Sequence, residues 1–158
     1  MRRSIVKRAA VAVVLGVLMA TALVTAVAAD DEYHSEHLVL SPVDNAPLRS
    51  GFVQNNHANG PQIAAVERYV LNGAAPNTSY QVTLQIYAFD PGCAGGADPL
   101  PIPTSVIQTN VSGNGSAKMV FVPADTMGFE GVHGIRWEVS VLGGAVAYET
   151  ICTTVTVD

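Results

Sequence analysis

From Tyr80 to Phe89 the chain alternates. Tyr80, Val82, Leu84, Ile86 and Ala88 are apolar, while Gln81, Thr83 and Gln85 between them are polar. A period of two is the signature of a half-buried strand, because successive side chains leave a pleated backbone on opposite faces. The residues just before it are turn formers. Asn72-Gly73 and Pro76-Asn77-Thr78 combine glycine's access to positive φ, proline's fixed φ, and short side chains that bond nearby backbone. A strand therefore ends near Leu71, the chain turns, and the next strand begins at Tyr80, inside a layered β domain.

The same reading extends along the chain. Ile135 to Val141 alternates as sharply, with Ile135, Trp137, Val139 and Val141 on one face and Arg136, Glu138 and Ser140 on the other. Shorter strands are expected over 37–41, 51–57, 63–71, 104–109 and 116–122, and a last one over 146–157 after the hairpin turn 142–145. In 63–71 the alternation is blurred: Val66 and Val70 share one face, Tyr69 and Leu71 the other. That fits a central strand or a bulge. Residues 30–37 are acidic and polar and read as a frayed arm. The long loop 90–103 carries four prolines and three glycines, and 124–128 has room for one helical turn with Asp125 near its start. Seven to nine strands with short turns, and no long 3.6-residue period, predict an all-β fold: an antiparallel β-sandwich burying two inner faces. A small closed barrel is the alternative.

Residues 1–29 do not belong to that fold. Arg2, Arg3, Lys7 and Arg8 precede an apolar run from Ala9 to Ala29, and Val27-Ala28-Ala29 supplies the small residues a signal peptidase needs. We expect an export signal cleaved after Ala29. An uncleaved anchor helix is the alternative, since the run is long enough to span a bilayer, and Arg2-Arg3 admits twin-arginine as well as general export. The remaining residues 30–158 make one domain. It keeps four basic residues, Arg49, Arg68, Lys118 and Arg136, against all thirteen acids, a formal net charge of −9. That balance argues against nucleic acid or anionic lipid as a partner. The location expected is secreted or at the extracellular surface, with membrane contact only through an uncleaved signal. In an oxidising compartment the two cysteines, Cys93 and Cys152, allow a single disulfide.

The order of Pro76 and Tyr80 in PNTSY resembles the tyrosine corner of immunoglobulin-like and fibronectin type III sandwiches, in which a tyrosine hydroxyl bonds backbone a few residues upstream. The segments NNHANGP from Asn55, NGAAPNTSYQV from Asn72, GNGSA from Gly113 and AYETICTTVTVD from Ala147 resemble a group of small exported bacterial proteins of uncharacterised function. The resemblance implies an immunoglobulin-like sandwich. It assigns no active-site residue and leaves the strand order open.

Residues that could carry chemistry are sparse. His34, Glu36 and His37 are the nearest approach to a copper or zinc site, but in a strand residues three apart face opposite sides, so only a looped or helical arm would join them. His57 and His133 read as surface residues. The chain has no G-x-S-x-G, S-x-x-K or H-E-x-x-H pattern, and Glu67, Glu138 and Glu149 read as exposed strand residues paired with Arg68 and Arg136. No catalytic residue, cofactor or metal ligand is assigned, and an enzyme is not expected. Among aromatics that could bind a sugar, Trp137 belongs by its alternation to the core, with Tyr69, Tyr148 and Phe129 as further candidates; Tyr87, on a polar face, is the best exposed one. The polar stretch 54–60 could supply amide hydrogen bonds. The function expected is a non-catalytic binding or adhesion module recognising a glycan or a protein, with a metal-binding protein as the alternative.

Overall fold

A computed structural model describes residues 34–57, 64–95 and 98–157. The export signal and its cleavage site, the start of the polar arm and the Ala58 to Pro61 loop lie outside the described residues. Ten strand segments and one short helix follow in order: β1 (His34–Val39), β2 (Ser41–Pro42), β3 (Ser50–His57), β4 (Ala65–Asn72), β5 (Ser79–Tyr87), β6 (Leu100–Gln108), β7 (Gly115–Phe121), α1 (Pro123–Thr126), β8 (Gly131–Val141), β9 (Val146–Glu149) and β10 (Thr153–Val157). They form two antiparallel sheets packed face to face, a β-sandwich and not a closed barrel. The first sheet runs β1-β3-β4-β7 and the second β2-β9-β8-β5-β6, with β10 also on β8. Where the edges β6 and β7 approach, Ser105 Oγ donates to the Lys118 carbonyl at 3.1 Å.

The alternation at Tyr80 sets the centre of the second sheet. In β5, Tyr80, Val82 and Leu84 are buried and Gln81, Thr83 and Gln85 half-buried. The facing strand β8 places Val139 opposite Val82 and Trp137 opposite Leu84. The Tyr80 hydroxyl accepts the N–H of Ala75, five residues upstream, at 3.2 Å, the bond a tyrosine corner makes. It also lies 3.1 Å from the hydroxyl of Tyr148, which donates to the Pro47 carbonyl at 2.8 Å. The Tyr148 phenol is pushed up from its ordinary pKa, first by burial and then by that neighbour.

Four expectations are corrected. Residues 34–37 are strand, not frayed arm, because β1 pairs with β3 from the His34–His57 register onward and the ladder satisfies the backbone of a polar segment. The loop 90–103 ends early, since Leu100–Pro103 already belong to β6; this is an edge strand, where a proline's missing N–H leaves no gap in a ladder. The last strand breaks at Thr150 to Cys152. There the Thr150 hydroxyl accepts the backbone N–H of Trp137 at 3.1 Å. Glu67 is buried rather than exposed, and the site below is built on it.

Cys93 and Cys152 form the disulfide, with Cα atoms 6.0 Å apart. It fastens the turn after β5 to the break between β9 and β10, across the start of β8. Gly134 makes that approach possible: a Cβ there would meet the Asp90 carbonyl at 2.2 Å and Cys93 Sγ at 2.9 Å. The bridge spans 59 residues of sequence, so in the chain-entropy account it stabilises by about 4 kcal/mol. Replacing both cysteines by serine is expected to lower the unfolding free energy by roughly that amount, read from urea midpoints at unchanged slope. Unchanged midpoints would show that the loop closure contributes nothing.

Candidate functional site

Strand parity carries Glu67 inward. On β4 the residues Ala65, Glu67, Tyr69 and Leu71 are all buried, while Val66, Arg68 and Val70 lie on the outer face. Glu67 is 2 % exposed, and its partner on β3 is Asn55, 1 % exposed. A carboxyl so placed needs donors. The Tyr69 hydroxyl donates to Glu67 Oε2, and the Trp137 indole N–H reaches the same oxygen from the opposite sheet at 2.9 Å. The Thr104 hydroxyl lies 2.9 Å from the Tyr69 oxygen and 3.3 Å from the Val82 carbonyl. Burial pushes the Glu67 carboxyl up to about 7, although the bonds from Tyr69 and Trp137 pull the other way. Burial and the neighbouring carboxylate also raise the Tyr69 phenol above its ordinary range.

Beside this cluster the sandwich is not filled. A cavity of about 70 Å³ opens between the sheets, with Asn55 and Glu67 in its lining. Its walls are apolar: Ala65 and Phe121 from the first sheet, Leu84, Ile86 and Ile135 from the second, and Phe129 from the segment after α1. The segment from α1 to Phe129 sits at the mouth, where Asp125 and Thr126 join the lining. It begins with Pro123, and Asp125 Oδ2 accepts the Val122 N–H at 2.8 Å, the one helical turn expected around Asp125.

His133 is 2 % exposed, not a surface residue. Its Nε2 lies 2.8 Å from the Phe129 carbonyl and its Nδ1 accepts the Phe89 N–H at 3.3 Å. Those two bonds place the ring proton on Nε2 and make the imidazole a tie between two loops at the mouth. His57 is half-buried beside Asn55, with Nε2 3.1 Å from Asn55 Nδ2.

The other candidates fall elsewhere. β1 runs through both His34 and His37 as extended backbone, replacing the looped arm that would bring them together. His37 Nδ1 lies 3.2 Å from Gln54 Oε1, with its ring against Phe52. Among the described residues no group of three metal-ligating side chains converges. Trp137, Tyr69 and Tyr148 are fully buried, so they form no sugar platform. Tyr87 is half-buried, with the Arg136 guanidinium over its ring and donating to its hydroxyl at 3.0 Å. Arg136 also pairs with Glu138, two residues along the same strand, at 2.9 Å, and across the ladder with Glu149 on β9 at 3.5 Å, so only the second is the cross-strand pairing expected of those acids.

Compared with protein families, with curated proteins and with solved structures, the chain finds no match.

The Glu67 carboxyl makes stability depend on pH in a direction that can be worked out. Its folded value lies above its ordinary one, so between about 4.5 and about 7 the unfolded chain has lost a proton that the folded chain keeps. Stability therefore falls as pH rises through that window, by about 3 kcal/mol in all, and levels off above it. Glutamine at the position keeps an acceptor oxygen for both donors and carries no charge. Glu67→Gln is expected to gain roughly that amount over the parent protein between acidic and mildly alkaline buffer, measured by urea unfolding. A difference independent of pH would contradict the burial of an ionisable carboxyl here.

Proposed function

We propose that the protein is an exported, non-catalytic binding module whose ligand site is the pocket between its sheets. The single observation that carries this reading is the pocket itself, a partly open cavity between the sheets with an almost wholly apolar lining. Packed interiors leave few voids larger than a water molecule, and an open apolar recess with a few polar groups at its floor is the usual form of a small-ligand site. Export is supported by the charge and hydropathy of the first 29 residues and by the disulfide. An immunoglobulin-like kinship is supported by the Tyr80 corner bond. The non-catalytic reading is supported by the duties of Glu67, whose Oε2 is committed to two core donors.

Of the partners expected from the sequence, glycan or protein, the lining favours one that presents an apolar group rather than a sugar ring. Met127, 74 % exposed, lies between Thr126 and Phe129, both of which line the pocket. Phe89, 77 % exposed, packs on His133 with ring centroids 5.2 Å apart. These residues give the mouth an apolar rim.

Xenon tests the pocket with a probe small enough to enter it. Saturable shifts confined to the methyl signals of Leu84, Ile86 and Ile135 are expected under xenon, and Ala65→Leu, which fills the cavity, should abolish them. Shifts spread over the surface, or indifferent to Ala65→Leu, would refute the site.

A further inference from the structure

We propose that the pocket takes the alkyl tail of a small cationic amphiphile, an alkylammonium, whose charged head stays outside at the mouth. The inference rests on the reading of the pocket as a ligand site and adds the class of ligand.

The first observation is where the fold puts its charges. The strand order directs five stretches of chain to the end of the sandwich at which the pocket opens: the approach to β1, the connections from β3 to β4, β5 to β6 and β7 to β8, and the exit from β10. Residues 30–32, before β1, are all acidic. Asp90 and Asp98 lie between β5 and β6, Asp125 and Glu130 between β7 and β8, and Asp158 follows β10. These stretches hold eight of the thirteen acids and none of the four basic residues of 30–158. Arg49 belongs to the loop before β3, and Arg68, Lys118 and Arg136 lie within strands. Nearly all of the formal charge of −9 thus belongs to chain that joins the mouth end. A recess bordered by one sign of charge concentrates ligands of the other.

The second observation is what the pocket offers inside. Its polar lining groups are engaged with the protein: Glu67 Oε2 with Tyr69 and Trp137, Asn55 with His57, and both ring nitrogens of His133 with backbone of Phe129 and Phe89. The other walls are mostly carbon, so the part of a ligand that enters is hydrocarbon. A charged head carried inward would lose its hydration without gaining a partner. At the rim it keeps water and meets Asp125, which is exposed and in the lining. Phe89, 77 % exposed, adds an aromatic ring there, and such rings attract alkylated ammonium groups. About 70 Å³ admits a few carbons, so a short tail fills the cavity while its head is still outside.

The test compares three probes that share one tail, hexyltrimethylammonium, hexanol and hexyl sulfate, on the purified protein, followed by the methyl NMR signals of Leu84, Ile86 and Ile135. The cation is expected to bind most tightly and the sulfate least, about tenfold apart or more at low salt. At about 1 M salt, where the Debye length falls to about 3 Å, most of that difference should disappear. Tetramethylammonium, which has the head and no tail, should leave the three residues' signals unmoved. Asp125→Asn combined with Glu130→Gln keeps the oxygens that accept the Val122 and Gly128 N–H groups; the cation's advantage should shrink and hexanol should bind as before. Hexanol or the sulfate bound as tightly as the cation at low salt, or tetramethylammonium moving the same signals, would overturn the inference while leaving the pocket as a binding site. No saturable shift with any probe would overturn both. The comparison on the unaltered protein is decisive even if the double variant does not fold.

Discussion

The bond from the Trp137 indole N–H to the Glu67 carboxyl ties one sheet to the other at the centre of the sandwich. Sheets packed on apolar contact alone can slide. A single oxygen that takes donors from both sheets fixes their relative placement, because each donor reaches it from one register only. A one-residue slip of β4 would turn Glu67 outward and bring Arg68 into the core. The bond joins two ladders whose own registers set Asn55 opposite Glu67 and Leu84 opposite Trp137. The carboxyl tolerates its surroundings because it is hydrogen-bonded and keeps a proton near neutrality.

The pocket is a consequence of the same arrangement. Trp137, Tyr69, Tyr80 and Tyr148 are the largest fully buried side chains, and they fill the core from the Glu67 row toward the tyrosine corner. In that row and beyond it the first sheet contributes Asn55 and the small Ala65, and a cavity is left between them and the aliphatic side chains of β5 and β8. The gap that remains opens at the end of the sandwich where α1 and the Phe129 segment line it. A core made entirely of large apolar residues would have had no room there and no polar floor.

Much of the fold was legible because its central strands alternate without ambiguity. Tyr80 to Ile86 and Ile135 to Val139 give the inward face residue by residue, and two cysteines leave one pairing. Edges were less legible. β1 is polar and β6 holds Pro101 and Pro103, and both are strands because a neighbour supplies the ladder, which composition does not show. Glu67 was misread for a different reason. Its charge suggested solvent, yet it shares parity with Tyr69 and Leu71, and the blurred apolar pattern of that segment was the available signal that one inward position was polar. The half-buried Val66 and Val70 on the outer face concealed it. The pocket had no linear signature, since its lining runs from Asn55 to Val157 and exists only once the sheets are packed.

The most direct test of this account is an NMR titration of the Glu67 side-chain carboxyl carbon, assigned by its loss in Glu67→Gln. The structure predicts a midpoint of about 7, with the Trp137 indole N–H signal moving in the same transition because it is bonded to the titrating oxygen. A midpoint in the ordinary glutamate range, with the indole signal unmoved, would mean that the carboxyl is in water, and that neither the inter-sheet tie nor the polar floor of the pocket exists as described.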